Sequence, residues 1–421
     1  MICEQAADYD GKSARGTVLG AAAVIVSAAL PPFLVGALAP RIATDLPFDT
    51  SEVGLAVAAY YAASGVLSPL GGRIVELIGV TAALRLTAAI SAIGLAAIAV
   101  ATQTIHVFLV LALLGLPNSL AQPASNNILS RVAHRKTRGL AFGVVQASIP
   151  FATLVAGMFL AVASFGNRWR LIVFFVAGCV VLVQFLVPRA PNPISKPDNN
   201  RRPPEPSQGS PNMAGAHRML TALVATGFLA SAAATSLPSF AATTGLNIGV
   251  APVAVAGAQM AGSLGSILVR ISAPAVVSHL NLKKQLQVVS ILLLVGVFGF
   301  LGLASQQALG FGIGIVTAFA FGWGWNGLFN LAVAGVRPNR VASSTGFTQA
   351  GVFLGGMTGP LVFAFIANEE GDTVAWCCMA IFMCVACGTI LSASKFLTQN
   401  PVGVATHLTP TKSLEKDPNE T

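Results

Sequence analysis

Residues 188–217 read PRAPNPISKPDNNRRPPEPSQGSPNMAGAH, and they interrupt a chain that is otherwise made of long apolar runs. The stretch holds eight prolines with polar and basic residues between them, a composition that favours an extended linker. The residues before it, 170–187, read RLIVFFVAGCVVLVQFLV, and runs of this kind recur on both sides. The sequence therefore divides into two apolar halves joined by a polar linker.

The composition indicates a membrane protein. Hydrophobic residues make up 54% of the 421 residues and charged residues only 9%, against roughly 25% in an average soluble domain. The mean hydropathy is +0.75. So few charges exclude an ordinary soluble enzyme, and so much apolar content excludes a disordered chain.

Twelve apolar runs have the length of about 20 residues that a helix needs to cross a bilayer. Six precede the linker and six follow it. In chain order, spans 1 to 12 are predicted at 17–39, 53–73, 83–102, 106–128, 139–164, 170–187, 219–241, 252–277, 285–304, 309–333, 341–366 and 374–394.

The distribution of Lys and Arg predicts the orientation. With the N-terminus in the cytoplasm, 20 of the 24 lie on the cytoplasmic side and three on the other. This bias accounts for the net charge of +9, and no basic face interleaved with aromatics suggests nucleic-acid binding. We expect a plasma-membrane protein with both termini cytoplasmic. Its predicted parts are a tail (1–16), a six-helix bundle (17–187), the linker (188–217), a second bundle (218–397) and a tail (398–421).

Short internal repeats relate the two halves. Gly143-Val-Val-Gln146-Ala147 in span 5 recurs in span 11 as Gly346-Phe-Thr-Gln349-Ala350, at an offset of 203. Leu30-Pro31-Pro32-Phe33 in span 1 recurs in span 7 as Leu237-Pro238-Ser239-Phe240, at an offset of 207. Two matches in register favour a duplication with parallel repeats.

A motif after span 2 resembles the signature of the major facilitator superfamily. Gly72-Arg-Ile-Val-Glu76-Leu77-Ile-Gly79 keeps both glycines and the acid, although Leu77 replaces the usual base. The resemblance implies an all-α membrane protein with twelve transmembrane helices in two pseudo-symmetric six-helix bundles. It also implies that Gly72, Glu76 and Gly79 form a conformational latch.

Further motifs extend this resemblance over nearly the whole chain. Gly346-x8-Gly355-x3-Gly359-Pro360 matches the family's antiporter pattern, but it stands in span 11 and not in span 5. Pro40-Arg-Ile-Ala-Thr-Asp45-Leu after span 1 and Trp169-Arg170 before span 6 also look like the family. The Gln146 and Trp323 regions faintly resemble the branch of cyanate and nitroimidazole transporters.

The spans lack the groups that embedded enzymes need. The 15 acids and five histidines lie in tails, loops or span ends, so no catalytic or metal site is expected at depth. No ATP-binding Gly-x4-Gly-Lys-Ser/Thr motif is present either. We predict no enzymatic activity, no metal and no cofactor. A proton site at Asp45 or Glu52 remains open.

Uncharged polar side chains concentrate in a few spans, whereas spans 3, 6, 9 and 12 are almost purely apolar. Three in span 4 share one helix face, and Trp323 shares a face of span 10 with two amides. Such groups either bond helix to helix or line a cavity for a small solute. The predicted substrate-binding residues are Asn118, Gln122, Asn126, Gln146, Gln349, Trp323, Asn326, Asn330, Arg270 and Tyr60.

Arg270 is the one basic residue within a span. A guanidinium at that depth costs at least a few kcal/mol without a partner, and no acid is available nearby. It either reaches toward the cytoplasm and bonds helix-end carbonyls, or it faces the cavity and holds a carboxylate or other small anion.

These features predict a monomeric secondary transporter that moves a small solute across the lipid bilayer by alternating access, and the solute is anionic if Arg270 faces the cavity. The first alternative is efflux of amphipathic drugs. The second is a membrane-embedded solute sensor, although residues 188–217 and 398–421 are short and polar for a signalling module.

Overall fold

A computed structural model describes residues 2–132, 138–166, 168–188, 213–277, 279–336 and 341–399, and all regular structure in these ranges is helical. Spans 5 and 10 are interrupted, and the others are continuous. In chain order the helices are Ile2–Ile42, Thr50–Ile78, Val80–Ala99, Thr104–Val132, Arg138–Gln146 with Ser148–Ala163, Trp169–Leu186, Met213–Asn247, Pro252–Val277, Leu282–Ala304, Ala308–Thr317 with Ala318–Gly322 and Asn326–Val336, Val341–Glu370, and Asp372–Gln399.

Ten predicted spans overlap a continuous helix, and spans 5 and 10 overlap interrupted ones, so the all-α membrane fold is confirmed. Eleven helices in the described residues are long and apolar enough to cross a membrane. Span 2, predicted at 53–73, lies within the helix Thr50–Ile78. Span 1 begins at Ile2, inside the predicted tail, and span 7 begins at Met213, inside the predicted linker. Residues 189–212 of the predicted linker (188–217) and 400–421 of the predicted tail (398–421) lie outside the described residues.

The two halves repeat the same packing. Span 1 packs on span 5 as span 7 packs on span 11, and span 3 packs on span 6 as span 9 packs on span 12. Glycines permit the closest approaches. A methyl group on Gly355 or Gly359 would collide with the carbonyl oxygens of Phe228 or Ala232 in span 7. The glycine row of span 11 therefore serves helix packing.

The main contacts between the halves are made by the inner spans. Span 5 packs on span 8, span 2 on span 11, and span 1 on span 7. Spans 3, 6, 9 and 12 take no part in these contacts. Instead they expose large apolar side chains such as Phe174, Phe298 and Ile381, as a lipid-facing position requires.

Two interruptions place unpaired backbone groups deep in the fold. Span 5 breaks at Ala147, just before Pro150, which has no N–H to continue the helical ladder. In span 10 a π-helical turn, Ala318–Gly322, is followed by turn residues before the helix resumes at Asn326. Local π-turns of this kind are frequent at functional sites.

Candidate functional site

Arg270 occupies the interface between the halves. Its side chain is fully buried, with 0% exposed. Nη1 donates a hydrogen bond of 3.0 Å to the backbone carbonyl of Gln146 in span 5, and Nη2 donates one of 3.0 Å to the carbonyl of Trp323 in span 10. One guanidinium therefore bridges an N-terminal span and a C-terminal span.

Both acceptors are products of the helix interruptions. In an unbroken helix the Gln146 carbonyl would accept from the amide of residue 150, but Pro150 has none. Trp323 follows the π-turn, where the α-helical ladder is broken. Arg270 thus does not reach out of the protein, as one alternative supposed, because two broken helices offer carbonyls inside it.

The surroundings of Arg270 are aromatic and lack acids. Its Cζ lies 5.7 Å from the centroid of the Trp323 ring, within the range of cation–π attraction. Phe33 of span 1 contacts the same ring edge-on, with the ring centroids 5.4 Å apart. Within the described part of the chain, Arg270 forms no ion pair, and its Nε–H has no acceptor.

A second polar group links spans 10 and 11. The Gln349 side chain donates to Asn330 Oδ1 at 3.2 Å, and Asn330 donates in turn to Asn326 Oδ1 at 2.8 Å. These three predicted site residues are therefore brought together within the C-terminal half. Asn326 and Asn330 lie within two turns of Trp323, so the amides and the arginine occupy neighbouring levels of span 10.

The predicted residues of spans 2 and 4 make bonds between helices. Asn118 donates to Ser64 Oγ at 3.0 Å, which joins span 4 to span 2. The buried Tyr60 hydroxyl donates to the Ala28 carbonyl at 2.8 Å, an acceptor left free because residue 32 is a proline. Both residues fit the helix-bonding alternative.

For three predicted substrate-binding residues the structure gives no side-chain hydrogen bond. Gln122 and the Gln146 side chain are half-buried and have no hydrogen-bond partner in the described part of the chain. The side chain of Asn126 lies outside the described residues, so its role in substrate binding stays a prediction.

The residues predicted to form the latch end span 2. Gly79 closes that helix with a positive φ of 85°, a conformation that favours glycine. The surroundings of Gly72 and Glu76 lie outside the described residues, and the latch stays a prediction.

Span 8 carries a polar face that the sequence analysis does not predict. Gln259, Ser263, Ser266 and Arg270 stand at i, i+4, i+7 and i+11, and all are fully buried. Ser263 Oγ lies 2.8 Å from Thr153 Oγ1 of span 5, and Gln259 donates to the Thr153 carbonyl at 3.3 Å. The spacing from Arg270 was the available signal, but serines and threonines are common in such spans. We name this contact of spans 5 and 8 the polar seam.

The family-like motifs after span 1 and before span 6 meet at one end of the N-terminal half. Trp169 Nε1 donates to Asp45 at 2.9 Å, and Arg170 Nε lies 3.4 Å from the same carboxylate oxygen. In the C-terminal half Trp376, at the 207 offset from Trp169, donates to Thr244, which donates to Asp372. The conserved position of the tryptophan supports the duplication.

Comparison with known proteins agrees with this architecture. The Major Facilitator Superfamily profile matches residues 16–360. No curated protein sequence matches significantly.

Among solved structures, a bacterial homologue of the human lysosomal transporter Spinster, in an inward-facing and unoccupied conformation, aligns with a TM-score of 0.67. That alignment has 14% identity and covers 92% of this chain and 98% of that one. The nucleoside transporter NupG aligns with a TM-score of 0.65 and 15% identity, over 89% of this chain and 99% of that one. Identities this low show the shared fold alone. Because the family profile covers most of the sequence, the chain belongs to the Major Facilitator Superfamily.

Proposed function

We propose that this protein is a secondary transporter of the plasma membrane, and not an enzyme, which moves a small anionic solute by alternating access. Its termini lie in the cytoplasm, and Arg270 binds the solute. The observation that carries this proposal is a fully buried guanidinium that, among the described residues, has no acid partner and keeps an Nε–H without an acceptor.

The energetics favour an anion at this position. Burying a guanidinium is expensive, and neutral carbonyls compensate a positive charge less well than an anion does. The two carbonyl bonds hold Nη1 and Nη2 and leave the Nε edge for a ligand. A carboxylate there would form a charge-assisted hydrogen bond, roughly twice as strong as a neutral one.

The location of Arg270 suits alternating access. In transporters built from repeats, the solute binds where the repeats meet, and the halves rock around that point. Arg270 joins span 5 of one half to spans 8 and 10 of the other, so a solute that draws its guanidinium away from Gln146 loosens one tie between the halves. The amides Gln349, Asn330 and Asn326 then supply neutral contacts to the same solute.

The test is transport by purified protein in proteoliposomes. The solute panel holds small anions, cyanate among them, together with nitroimidazole, neutral solutes and amphipathic cations, each with and without a proton gradient. We expect anion flux in the wild type and a sharp loss of affinity in Arg270→Lys, which keeps the charge but loses the planar fork. Normal transport by Arg270→Lys, or flux of cations alone, would overturn the anion proposal.

Drug efflux remains the second candidate because Trp323 is enclosed by Phe33 and Phe319, an aromatic group suited to amphipathic solutes. It predicts export of amphipathic cations that does not depend on Arg270. A solute sensor would instead bind members of the panel without any flux.

A further inference from the structure

Ser266 and Arg270 form a pair of unused donors in the fold. They lie one turn apart on the same face of span 8, and both side chains are fully buried. Ser266 Oγ and Arg270 Nε have no hydrogen-bond partner among the described residues. Five other buried side-chain atoms in the described residues also lack a partner, but Ser266 and Arg270 offer two donors on adjacent turns of one helix face, so a single ligand can contact both.

The Ser266 hydroxyl lacks the backbone bond that several other helical serines of this chain make, as do the buried hydroxyls of Ser91, Ser125 and Ser148. Ser239, Ser263 and Ser272 each donate to the carbonyl four residues earlier, at distances of 2.7 to 2.9 Å. Ser266 makes no such bond, although a regular helix would offer it the Gly262 carbonyl. Its hydroxyl is therefore available to donate elsewhere.

The contacts of neighbouring residues show where this hydroxyl lies. Ser263, on one side of it, contacts Thr153 of span 5, whereas Gly265, on the other side, packs against Ala320 of span 10. Ser266 therefore faces the wedge between spans 5 and 10. Arg270 lies in the same wedge, since it bonds to both of those spans.

The charge of this wedge limits the valence of its ligand. Among the described residues, Arg270 is the one charged side chain that is fully buried. A monovalent anion would balance it, whereas a divalent anion would bring an uncompensated negative charge into a region of low dielectric. The Trp323 ring beside the guanidinium offers an apolar surface to the rest of the solute.

We infer that Ser266 Oγ–H and Arg270 Nε–H form a two-donor site for a monovalent oxyanion, above all the carboxylate of an organic monocarboxylate whose apolar body lies against Trp323. One carboxylate oxygen accepts from the guanidinium and the other from the serine. This inference rests on the proposed function, because it requires that Arg270 receives the solute.

The experiment measures binding of radiolabelled benzoate to the purified, detergent-solubilised protein at pH 7. Phthalate, which carries a second carboxylate on the same ring, and benzamide, which carries none, are the competitors. We expect benzoate to bind, with phthalate at least roughly 10-fold weaker and benzamide not competing. Absence of benzoate binding, or phthalate binding as tightly as benzoate, would overturn the monocarboxylate class.

Two serine variants separate the role of Ser266 from that of the seam. Ser266→Ala should weaken benzoate binding roughly 10- to 100-fold, the range for a lost hydrogen bond to a charged group. Ser263→Ala is the matched control because that hydroxyl already has partners, and its affinity should stay within about twofold of wild type. A midpoint temperature of thermal unfolding equal to that of the wild type shows that each variant is folded.

A third variant, Arg270→Lys, distinguishes the two proposals. If Arg270→Lys loses benzoate while Ser266→Ala binds it normally, the serine inference fails and the anion site stands. If Arg270→Lys binds benzoate as the wild type does, the proposed function itself fails.

Discussion

Two of the contacts between the halves, that of spans 5 and 8 and that of spans 2 and 11, occupy equivalent positions but differ in chemistry. In the polar seam, Thr153 of span 5 meets Ser263 of span 8 through a hydroxyl pair at 2.8 Å. The residue related to Thr153 by the 203 offset is Gly356 of span 11, and there the ring of Tyr61 in span 2 fills the missing side chain's place. We name this contact of spans 2 and 11 the smooth seam.

The difference shows that two equivalent contacts in a duplicated fold can be held by different interactions. Hydrogen bonds are directional, so the polar seam holds a defined register. Under the proposed function it also presents Arg270, which bonds to Gln146 in span 5, to the solute. The smooth seam depends on close fit. Gly54, for example, has the Pro360 carbonyl and Ala364 against its Cα, and a Cβ there would lie 2.8 Å from that carbonyl. We expect both seams to separate during transport, with recognition confined to the Arg270 end of the polar seam.

Locking the polar seam should have the largest effect. The double variant Thr153→Cys/Ser263→Cys replaces two hydroxyls 2.8 Å apart, a separation close enough for a disulfide after small adjustments. If the seam must open in each cycle, oxidation should abolish transport and reduction should restore it in proteoliposomes.

The single variants, oxidised in parallel, control for the native cysteines, of which Cys179 and Cys384 are exposed. Full transport by the cross-linked double variant would show that the polar seam stays closed throughout the cycle.

Wedging the smooth seam should have the next largest effect. In Gly54→Val the added atoms meet backbone, which cannot move aside cheaply, and overpacking of this kind costs about 1–3 kcal/mol. We expect transport to fall roughly 10- to 100-fold, since each 1.36 kcal/mol is a factor of ten.

Gly257→Val is the matched control for the wedge because Gly257 is exposed on span 8, with nothing within 4 Å of an added Cβ. Equal transport rates in the two valine variants would contradict the close fit of the smooth seam.

Restoring the helix in span 5 should change affinity several-fold. In Pro150→Ala, residue 150 regains an N–H that competes with Arg270 for the Gln146 carbonyl. Loss of the Arg270 bond should weaken the contact of spans 5 and 8 by about 1 kcal/mol. A guanidinium freed in this way should bind the anion more tightly, so KM should fall.

Pro360→Ala provides the comparison in the smooth seam, since the carbonyl that Pro360 frees, on Gly356, accepts no side-chain hydrogen bond within the described residues. An unchanged or raised KM in Pro150→Ala would show that the Gln146 bond does not compete with the solute.

The smallest effect concerns pH at the start of span 2. A side-chain hydrogen bond with Asp49 raises the pKa of Glu52, and the same bond lowers the pKa of Asp49. Because the folded pKa of Glu52 is raised, its contribution to stability is complete below its ordinary value of 4.5 and is lost as the pH rises through the folded pKa.

The variant Glu52→Gln should remove this loss, because glutamine can keep the bond to the Asp49 amide but does not titrate. As the pH rises from 4 to 6, the midpoint temperature of thermal unfolding should therefore decline slightly for the wild type relative to the variant. Parallel curves would exclude Glu52 as a titrating group in this range.

The membrane fold could be predicted from the sequence because its determinants are local. About 20 apolar residues specify a spanning helix wherever they occur, so span 9 could be predicted without reference to the helices that pack against it. The duplication could also be recognised in the sequence, because the pattern Gly-x-x-Gln-Ala occurs around both Gln146 and Gln349.

The partners of Arg270 could be decided only by the tertiary structure. Its depth predicted that a partner was needed, but the acceptor on Gln146 lies 124 residues away and exists because Pro150 breaks a different helix. Ser266 looked like any small helical residue until its hydroxyl proved to be buried and unpaired. Single residue types specify helices and their depth, whereas a site at the meeting of three helices depends on which groups those helices leave unsatisfied once they pack.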